Sequence, residues 1–411
     1  MPDDITSPPR SLVSRRGFAA LSAAALAAPM ASRAQAQAKP VTIGLLNDIS
    51  GFSADLSGLG AIVSAELALE DFGPTVIGRP IAFLKADHGA KPDLGVGIAR
   101  QWYDQGVNAI FDIGVTTVAL GVQKLALDKN KIAIYTSTGT VDLTRAQCSP
   151  NGIHWTYDSY SVSVGAANAN MKVRGSKKWF FMTVDYAYGT SLQAEATQFI
   201  LANGGTVLGS ARHAIETKDF SSDLLKAQSS GAEIIALATP TPLIANIVKQ
   251  ANEFGLDRMG QKLAPFGMML NDVKALGSQL TQGLLVTEPF YWDQNDATRA
   301  FAKRFFDKFK RMPNSLQASV YGAVTHYLNG VKSAGTDETG PVLAAMKATK
   351  VNDFMTKDGV IRPDGRLVRE MHVFRVKSPA ESKGEWDLYH QEATIPGPQA
   401  FSPPDASCKL A

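Results

Sequence analysis

From Lys39 onward, short and nearly continuous apolar runs alternate with longer stretches whose apolar positions recur at helical spacing. VTIGLLN, IAFLKAD, NAIFDIG and KIAIYTS read as buried strands, and residues 57–72, 93–105 and 117–130 read as amphipathic helices. Strands that are apolar almost throughout, with helices between them, predict a parallel sheet covered on both faces. The rhythm restarts after a helix at about 160–174, with strand WFFMTV, helix 189–203, strand TVLGSAR and a helix near 222–229. EIIALAT, LIANIVKQANEF, KLAPF and GLLVTEPF continue it. Two arrays of similar size predict an α/β protein of two similar Rossmann-like lobes. No charged run or low-complexity tract separates them, so the joins are short crossovers. Beyond Pro289, helices at about 297–310, 315–333 and 340–348 and strands near 371–377 and 386–391 are too few for a third domain. They are expected to complete the first two lobes, which divides the chain into 39–157 plus about 290–362 and 158–289 plus about 363–411.

The segment before Lys39 does not share this pattern. SRRGFAALSAAALAA sets Arg15 and Arg16 before a faint, alanine-rich run that stops at Pro29. A membrane span needs about 20 strongly apolar residues, so this run is too weak to hold a protein in a bilayer. With the small-residue sequence AQAQAKP after it, the segment reads as an export signal cleaved after Ala38. Its Ser-Arg-Arg-Gly-Phe opening resembles the twin-arginine type, whose export machinery carries folded proteins across the bacterial inner membrane to the periplasm.

Charge removes some classes of partner. The whole chain has 41 Lys and Arg against 38 Asp and Glu, and beyond residue 38 the two are almost equal. No basic face is implied, which argues against nucleic acid or an anionic membrane as the main partner. Cys148 and Cys408 are the only cysteines, and neither has a histidine or second cysteine at metal-ligand spacing. In an oxidising compartment they are expected to join and pin the tail SPPDASCKLA to the body of the protein.

In an open parallel sheet, ligands bind beyond the carboxyl ends of the strands. In the first array those loops are Val115-Thr116-Thr117 and Thr136-Ser137-Thr138-Gly139-Thr140, rich in hydroxyls at helix starts. Such groups suit an anionic ligand without any lysine, although ordinary capping also uses them. In the second array the corresponding loops are Asp185-Tyr186-Ala187-Tyr188-Gly189, Thr239-Pro240-Thr241-Pro242 and Gly267-Met268-Met269. Their aromatic and soft apolar side chains suit a flat or greasy ligand, or else fill core. No GxSxG, HExxH or P-loop pattern appears, the six histidines are scattered, and GLG at 58–60 lacks the third glycine of a dinucleotide fingerprint. An enzyme is therefore not expected, nor a cofactor. Asp87-His88 ends a strand of the first lobe, where it could touch a ligand, and lacks a nucleophile partner.

Taken in order, VTIGLLNDISGFSADLSGLGAIVSAELALEDF, IGVTTVAL, YTSTGTVDLT, VDYAYGTSLQ and NIVKQANEFGL resemble the periplasmic substrate-binding proteins of branched-chain amino acid type ABC transporters. The resemblance covers nearly all of the chain after residue 38. It implies a type I periplasmic binding fold with a multi-crossover hinge, a monomer that closes on a small-molecule ligand, and a transporter permease as partner. It places Thr116, Thr117, Ser137 and Gly139 at the ligand's carboxylate, with Gly139 where amino-acid binders usually have threonine, and Thr138 of the same hydroxyl-rich loop joins them as a candidate. Phe52, Ser53 and Leu56 fall in the loop after the first strand, and Leu56 replaces an aromatic residue. Tyr188 and Thr239 to Thr241 fall where the second lobe closes over the ligand, and Tyr186 of the same aromatic loop is a further candidate. Tyr291 lies near a hinge crossing, as a lining residue or a packed aromatic. Around Phe266-Gly267-Met268, amino-acid binders carry a glutamate for the α-ammonium, and this chain has none. The departure implies an aromatic or hydrophobic carboxylate without an α-amino group, unless Asp185 supplies the charge from the neighbouring loop. Rival readings are a branched-chain amino acid or amide binder, a sensor's binding partner, and an exported oxidoreductase.

Overall fold

The computed structural model describes residues 39–410, so the export-signal reading of residues 1–38 lies outside the described residues. The first lobe begins with β1 (Val41–Asn47), α1 (Gly58–Phe72), β2 (Thr75–Val76), β3 (Arg79–Asp87), α2 (Pro92–Asp104), β4 (Ala109–Asp112), α3 (Thr116–Asp128), β5 (Ile132–Tyr135) and β6 (Gly152–His154). The second contains α4 (Ser159–Arg174), β7 (Lys178–Val184), α5 (Ala187–Ala202), β8 (Thr206–His213), α6 (Ser221–Ser229), β9 (Ile234–Ala238), α7 (Thr241–Glu253), β10 (Lys262–Pro265), α8 (Leu270–Leu276), α9 (Ser278–Thr281) and β11 (Leu285–Glu288). The chain then returns as α10 (Asp296–Phe309), α11 (Ser315–Ala334), α12 (Thr339–Ala348), β12 (Val360–Ile361) and β13 (Leu367–Val368). It ends with β14 (Met371–Val376), β15 (Tyr389–Ile395) and α13 (Gly397–Ala400).

The first sheet runs β2-β3-β1-β4-β5-β6, parallel except for the β2–β3 hairpin. Successive residues of β1 point to opposite faces, and each face is buried. Ile43 and Leu45 pack with Ala61 and Ala65 of α1 and Val324 and Tyr327 of α11, whereas Leu46 packs with Trp102 of α2 and Val118 of α3. This is why the strand reads as apolar throughout. The second sheet runs β10-β9-β7-β8, all parallel, beside an antiparallel sheet of order β11-β14-β15. Strand order reverses at β1 in one lobe and at β7 in the other, and at such switch points the loops diverge to leave a crevice.

Three passages join the lobes, after β6, after β11 and after β13, and α11 packs back on α1. The last strand begins later than its sequence suggests, at Tyr389. The Leu388 N–H is taken by the Tyr291 hydroxyl at 3.1 Å, and regular pairing with β14 starts only beyond it. The Cys148–Cys408 disulfide holds the tail to the loop that follows β5, with the two Cα atoms 5.6 Å apart. None of the described helices is long and apolar enough to cross a membrane.

Candidate functional site in the interlobe cleft

The carboxyl ends of β1, β4 and β5 face those of β7, β9 and β10 across one void of about 540 Å³, part of it open to solvent. Phe52, Ser53, Leu56, Gly114, Val115, Thr116, Ser137 and Gly139 line it from the first lobe, and Tyr186, Tyr188, Pro240, Thr241, Gly267 and Met269 from the second. Tyr157, on the first crossing, completes the wall. No lining residue carries a charge. A further groove, lined by Arg174, Asn252, Gln261 and Gln282 among others, is built from the second lobe alone.

The loop after β4 is held by an unusual backbone. Asp112 and Ile113 have φ of 78° and 53°, a left-handed region that costs a β-branched residue on the order of 1–3 kcal/mol. Local bonds fix it there. The Ile113 N–H donates to Leu46 O at 2.9 Å, and the Thr138 hydroxyl donates to Ile113 O. The buried Asp112 carboxylate accepts from the hydroxyls of Ser57, Thr136 and Ser137. Burial pushes its pKa above the usual carboxylate range, and those three donors oppose the shift. The turn delivers Gly114, Val115 and Thr116 to the void at the start of α3.

Three helices of at least 13 residues begin at this void: α3 at Thr116, α5 at Ala187 and α7 at Thr241, and none has a side-chain cap. Among the other helices α4, α10 and α11 begin with capping boxes formed by Asp158, Asn295 and Asn314, and α1, α2, α6 and α12 also lack a side-chain cap. The first N–H groups of an α-helix have no partner within it, and they carry the positive end of its dipole. The uncapped starts therefore turn partial positive charge towards a cleft that holds no formal charge. The Tyr186 hydroxyl is buried without a protein partner. Tyr157 and Tyr188 place their phenols side by side, and burial raises Tyr157 to about 12 and Tyr188 well above the usual phenol range. Both stay neutral at physiological pH.

Among the residues singled out in the sequence, Phe52, Ser53, Thr116, Ser137, Gly139, Tyr186 and Tyr188 line the void, and five do not. Thr117 is exposed, because the next position on a helix turns about 100° away from Thr116. Thr138 is buried and spends its hydroxyl on Ile113 O. Thr239 is fully buried, with its hydroxyl 3.2 Å from His213 Nε2, and Thr241 takes its place at the void. Met268 packs into the second-lobe core with Phe374 and Leu243, and its neighbour Met269 lines the void instead. Tyr291 is core as well, donating to Trp386 O at 3.0 Å. Asp185 is paired with Arg212 at 3.0 Å on an exposed rim and is not part of the lining. Tyr157 and Gly114 were not singled out, and Val115 and Pro240 were named only as members of their loops. The one available signal was for Tyr157, an aromatic residue on a lobe crossing, because crossings border the cleft.

Two α/β lobes, three crossings and one uncharged crevice between facing helix starts define a ligand-capturing protein of the two-lobed type. The chain belongs to the periplasmic binding protein family, whose model matches residues 40–385. It is similar to the crystal structure of a periplasmic binding protein from Burkholderia mallei, with 42% identity, a TM-score of 0.86, and 90% of this chain and 99% of that one covered. A relative from Pseudomonas aeruginosa, the leucine-, isoleucine-, valine-, threonine- and alanine-binding protein, is 23% identical over 78% of this chain and 85% of its own length. The fold also matches an ABC transporter solute-binding protein from Rhodopseudomonas palustris solved with 3,4-dihydroxybenzoic acid, at 22% identity and a TM-score of 0.79, covering 87% of this chain and 98% of that one. The family is that of the periplasmic solute-binding components of ABC transporters.

Proposed function

We propose that this protein captures a small organic anion, an aromatic or hydrophobic carboxylate lacking an α-amino group, and presents it to an ABC importer. The observation that carries this reading is the meeting of three uncapped helix starts on a void with no charged side chain. Helix starts bind a carboxylate through backbone N–H groups without a lysine. An ammonium closed into the same void would meet no carboxylate, and burying an unpaired charge costs several kcal/mol. Leu56, Val115, Pro240, Met269 and the three tyrosines form the apolar remainder, suited to a flat ring. The Rhodopseudomonas relative's ligand is in keeping with this, and the Pseudomonas relative's amino acids are the rival. Ligand contacts to both lobes favour the closed state, which is the surface a permease reads.

Calorimetric titration with benzoate, 4-hydroxybenzoate, 3,4-dihydroxybenzoate and leucine tests the reading. Binding of at least one acid with no heat from leucine is expected; tight leucine binding without any response to the acids overturns it. Residues 1–38 fit the same picture as a twin-arginine signal that delivers the folded chain to the periplasm. Fused to a reporter, this segment is expected to direct export, and replacing Arg15 and Arg16 with lysine to stop it.

A further inference from the structure

Two of the three first-lobe hydroxyls that line the void, those of Ser53 and Ser137, are already committed. Ser53 donates to Asp48 Oδ2 at 2.6 Å, Ser137 donates to Asp112, and Thr138 donates to Ile113 O. Ser53 and Ser137 therefore turn lone pairs, not protons, towards the void they line. An anion needs donors, and besides the Thr116 and Tyr186 hydroxyls at the void one side chain behind this wall has a donor to spare.

His88 is fully buried at the end of β3. Its Nδ1 accepts the Ala90 N–H at 3.1 Å, and its Nε2 has no protein partner. Burial lowers its basicity against the opposing pull of the Asp48, Asp112 and Asp87 carboxylates, which keeps the ring neutral. A neutral imidazole that accepts at Nδ1 carries its proton on Nε2, so the unpartnered atom is an N–H. Leaving a buried donor unmatched costs about 1–3 kcal/mol, so this one is expected to find a partner.

Gly114 shows where that partner sits. A Cβ built on it would stand 3.3 Å from Ser137 Oγ, 3.8 Å from Ser53 Oγ and 4.0 Å from His88 Nε2. Those three polar atoms surround one face of a residue that lines the void and has no side chain to fill it. We propose that His88 is a ligand-binding residue, whose Nε2–H donates to an anionic oxygen of the ligand seated against Gly114. The proposal rests on the carboxylate reading of the cleft and adds to it a specific donor. The helix start of α3 and the imidazole would then grip the anion from two directions. The same arrangement makes Gly114 a position where any side chain competes with the ligand.

His88→Asn and His88→Gln separate this from a structural role. Asn places an oxygen where Nδ1 stands and keeps the Ala90 bond but offers nothing at Nε2; Gln reaches the Nε2 position with a donor. For the benzoate-type acid that binds the wild-type protein most tightly, H88N is expected to weaken affinity about 10- to 100-fold. H88Q is expected to recover most of the loss, and both variants to melt close to the wild type without ligand. In a proton–nitrogen correlation spectrum, the wild-type His88 imidazole is expected as the Nε2–H tautomer, with a resonance that moves when the acid is added. Unchanged affinity in H88N, or a resonance that does not move, overturns the proposal while the acid reading stands. If no acid binds the wild type, both fall together.

Discussion

A Cβ built on Gly139 stands 2.6 Å from Cε2 of Tyr188, so the two walls of the cleft meet at a point that admits only hydrogen. Tyr157 closes in from the side, its Cε2 2.9 Å and its hydroxyl 3.0 Å from the same position. Contacts under 3.0 Å force one partner to move. Because Tyr188 belongs to the second lobe and Gly139 to the first, the easiest movement is apart. Gly139→Ala is therefore expected to disfavour the closed form by about 1–3 kcal/mol, the usual cost of overpacking. Ligand affinity falls by about tenfold or more, while the melting temperature without ligand changes little. Combining it with Tyr188→Ala in a calorimetric double-mutant cycle tests the cause, since a steric clash makes the two effects less than additive.

Arg145 and Glu195 form a second link across the cleft. Arg145 follows the short helical turn Val141–Thr144 after β5, Glu195 lies on α5, and two bonds of 2.5 and 3.1 Å join them. Glu195 is nearly buried, so removing the guanidinium strands a carboxylate. Arg145→Met is expected to speed ligand release roughly tenfold or more, and Glu195→Gln to have a smaller effect because Arg145 keeps the Asp405 carboxylate at 3.8 Å and the amide oxygen still accepts. Stopped-flow displacement measures both. Equal rates in all three proteins would show that the pair does not hold the closed state.

Much of this architecture is legible in the sequence, because strands buried on both faces need apolar residues at nearly every position. Ile43, Leu45 and Leu46 show this, reaching both faces of the first sheet. The loops that border the cleft follow from the same pattern through the strand-end rule. Side-chain direction within those loops does not. Thr116 and Thr117 differ by one helical step, Met268 and Met269 by one residue, and Thr239 and Thr241 by two, yet one of each pair lines the void and the other does not. Backbone turns of a few residues decide such cases, and the positive φ at Asp112 and Ile113 has no apparent compositional mark. Tyr291 was out of reach for a different reason, since Trp386 and Leu388, which bind its hydroxyl, lie almost a hundred residues away.

The Cys148–Cys408 bridge spans 260 residues of sequence. Chain-entropy reasoning assigns a loop of that size about 5 kcal/mol. Reduction need not cost the native state that much contact, because it first releases only the terminal segment. Cys148→Ser with Cys408→Ser is expected to lower the melting temperature by several degrees and to speed proteolysis after residue 396, with ligand affinity little changed. Thermal scans with and without reductant, followed by mass spectrometry of the first cleavage products, measure this. A melting temperature indifferent to reductant would remove the bridge from the stability of the fold.

Glu288 gives the protein a pH dependence of definite sign. Its carboxyl is fully buried at the end of β11, between the Ser315 hydroxyl at 2.8 Å and the Tyr389 hydroxyl at 2.9 Å, and burial pushes it up to about 8. Asp272 beside it is pushed up to about 7, again by burial. In the unfolded chain both ionise near pH 4, so between there and neutrality the native state holds protons that the unfolded state has lost. Stability from this source is complete below the unfolded values and drains away as pH rises through about 7 and 8. The buried histidines act in the opposite direction. Burial lowers His372 to about 4 and moves His88, His154, His213 and His326 the same way, so their stabilisation is lost as pH falls from about 6.5. Above pH 6.5 the histidines no longer oppose the two carboxyls, and the slope approaches about 1.4 kcal/mol per unit for each carboxyl still protonated in the native state. The melting temperature is therefore expected to peak near pH 6 and to fall towards pH 8. Glu288→Gln keeps a polar group between Ser315 and Tyr389 but cannot ionise, so it flattens that fall, steepens the rise on the acid side and moves the maximum to higher pH. Thermal scans at half-unit intervals from pH 5 to 8.5 measure both limbs, and an alkaline slope that survives in the variant would assign the loss to other groups.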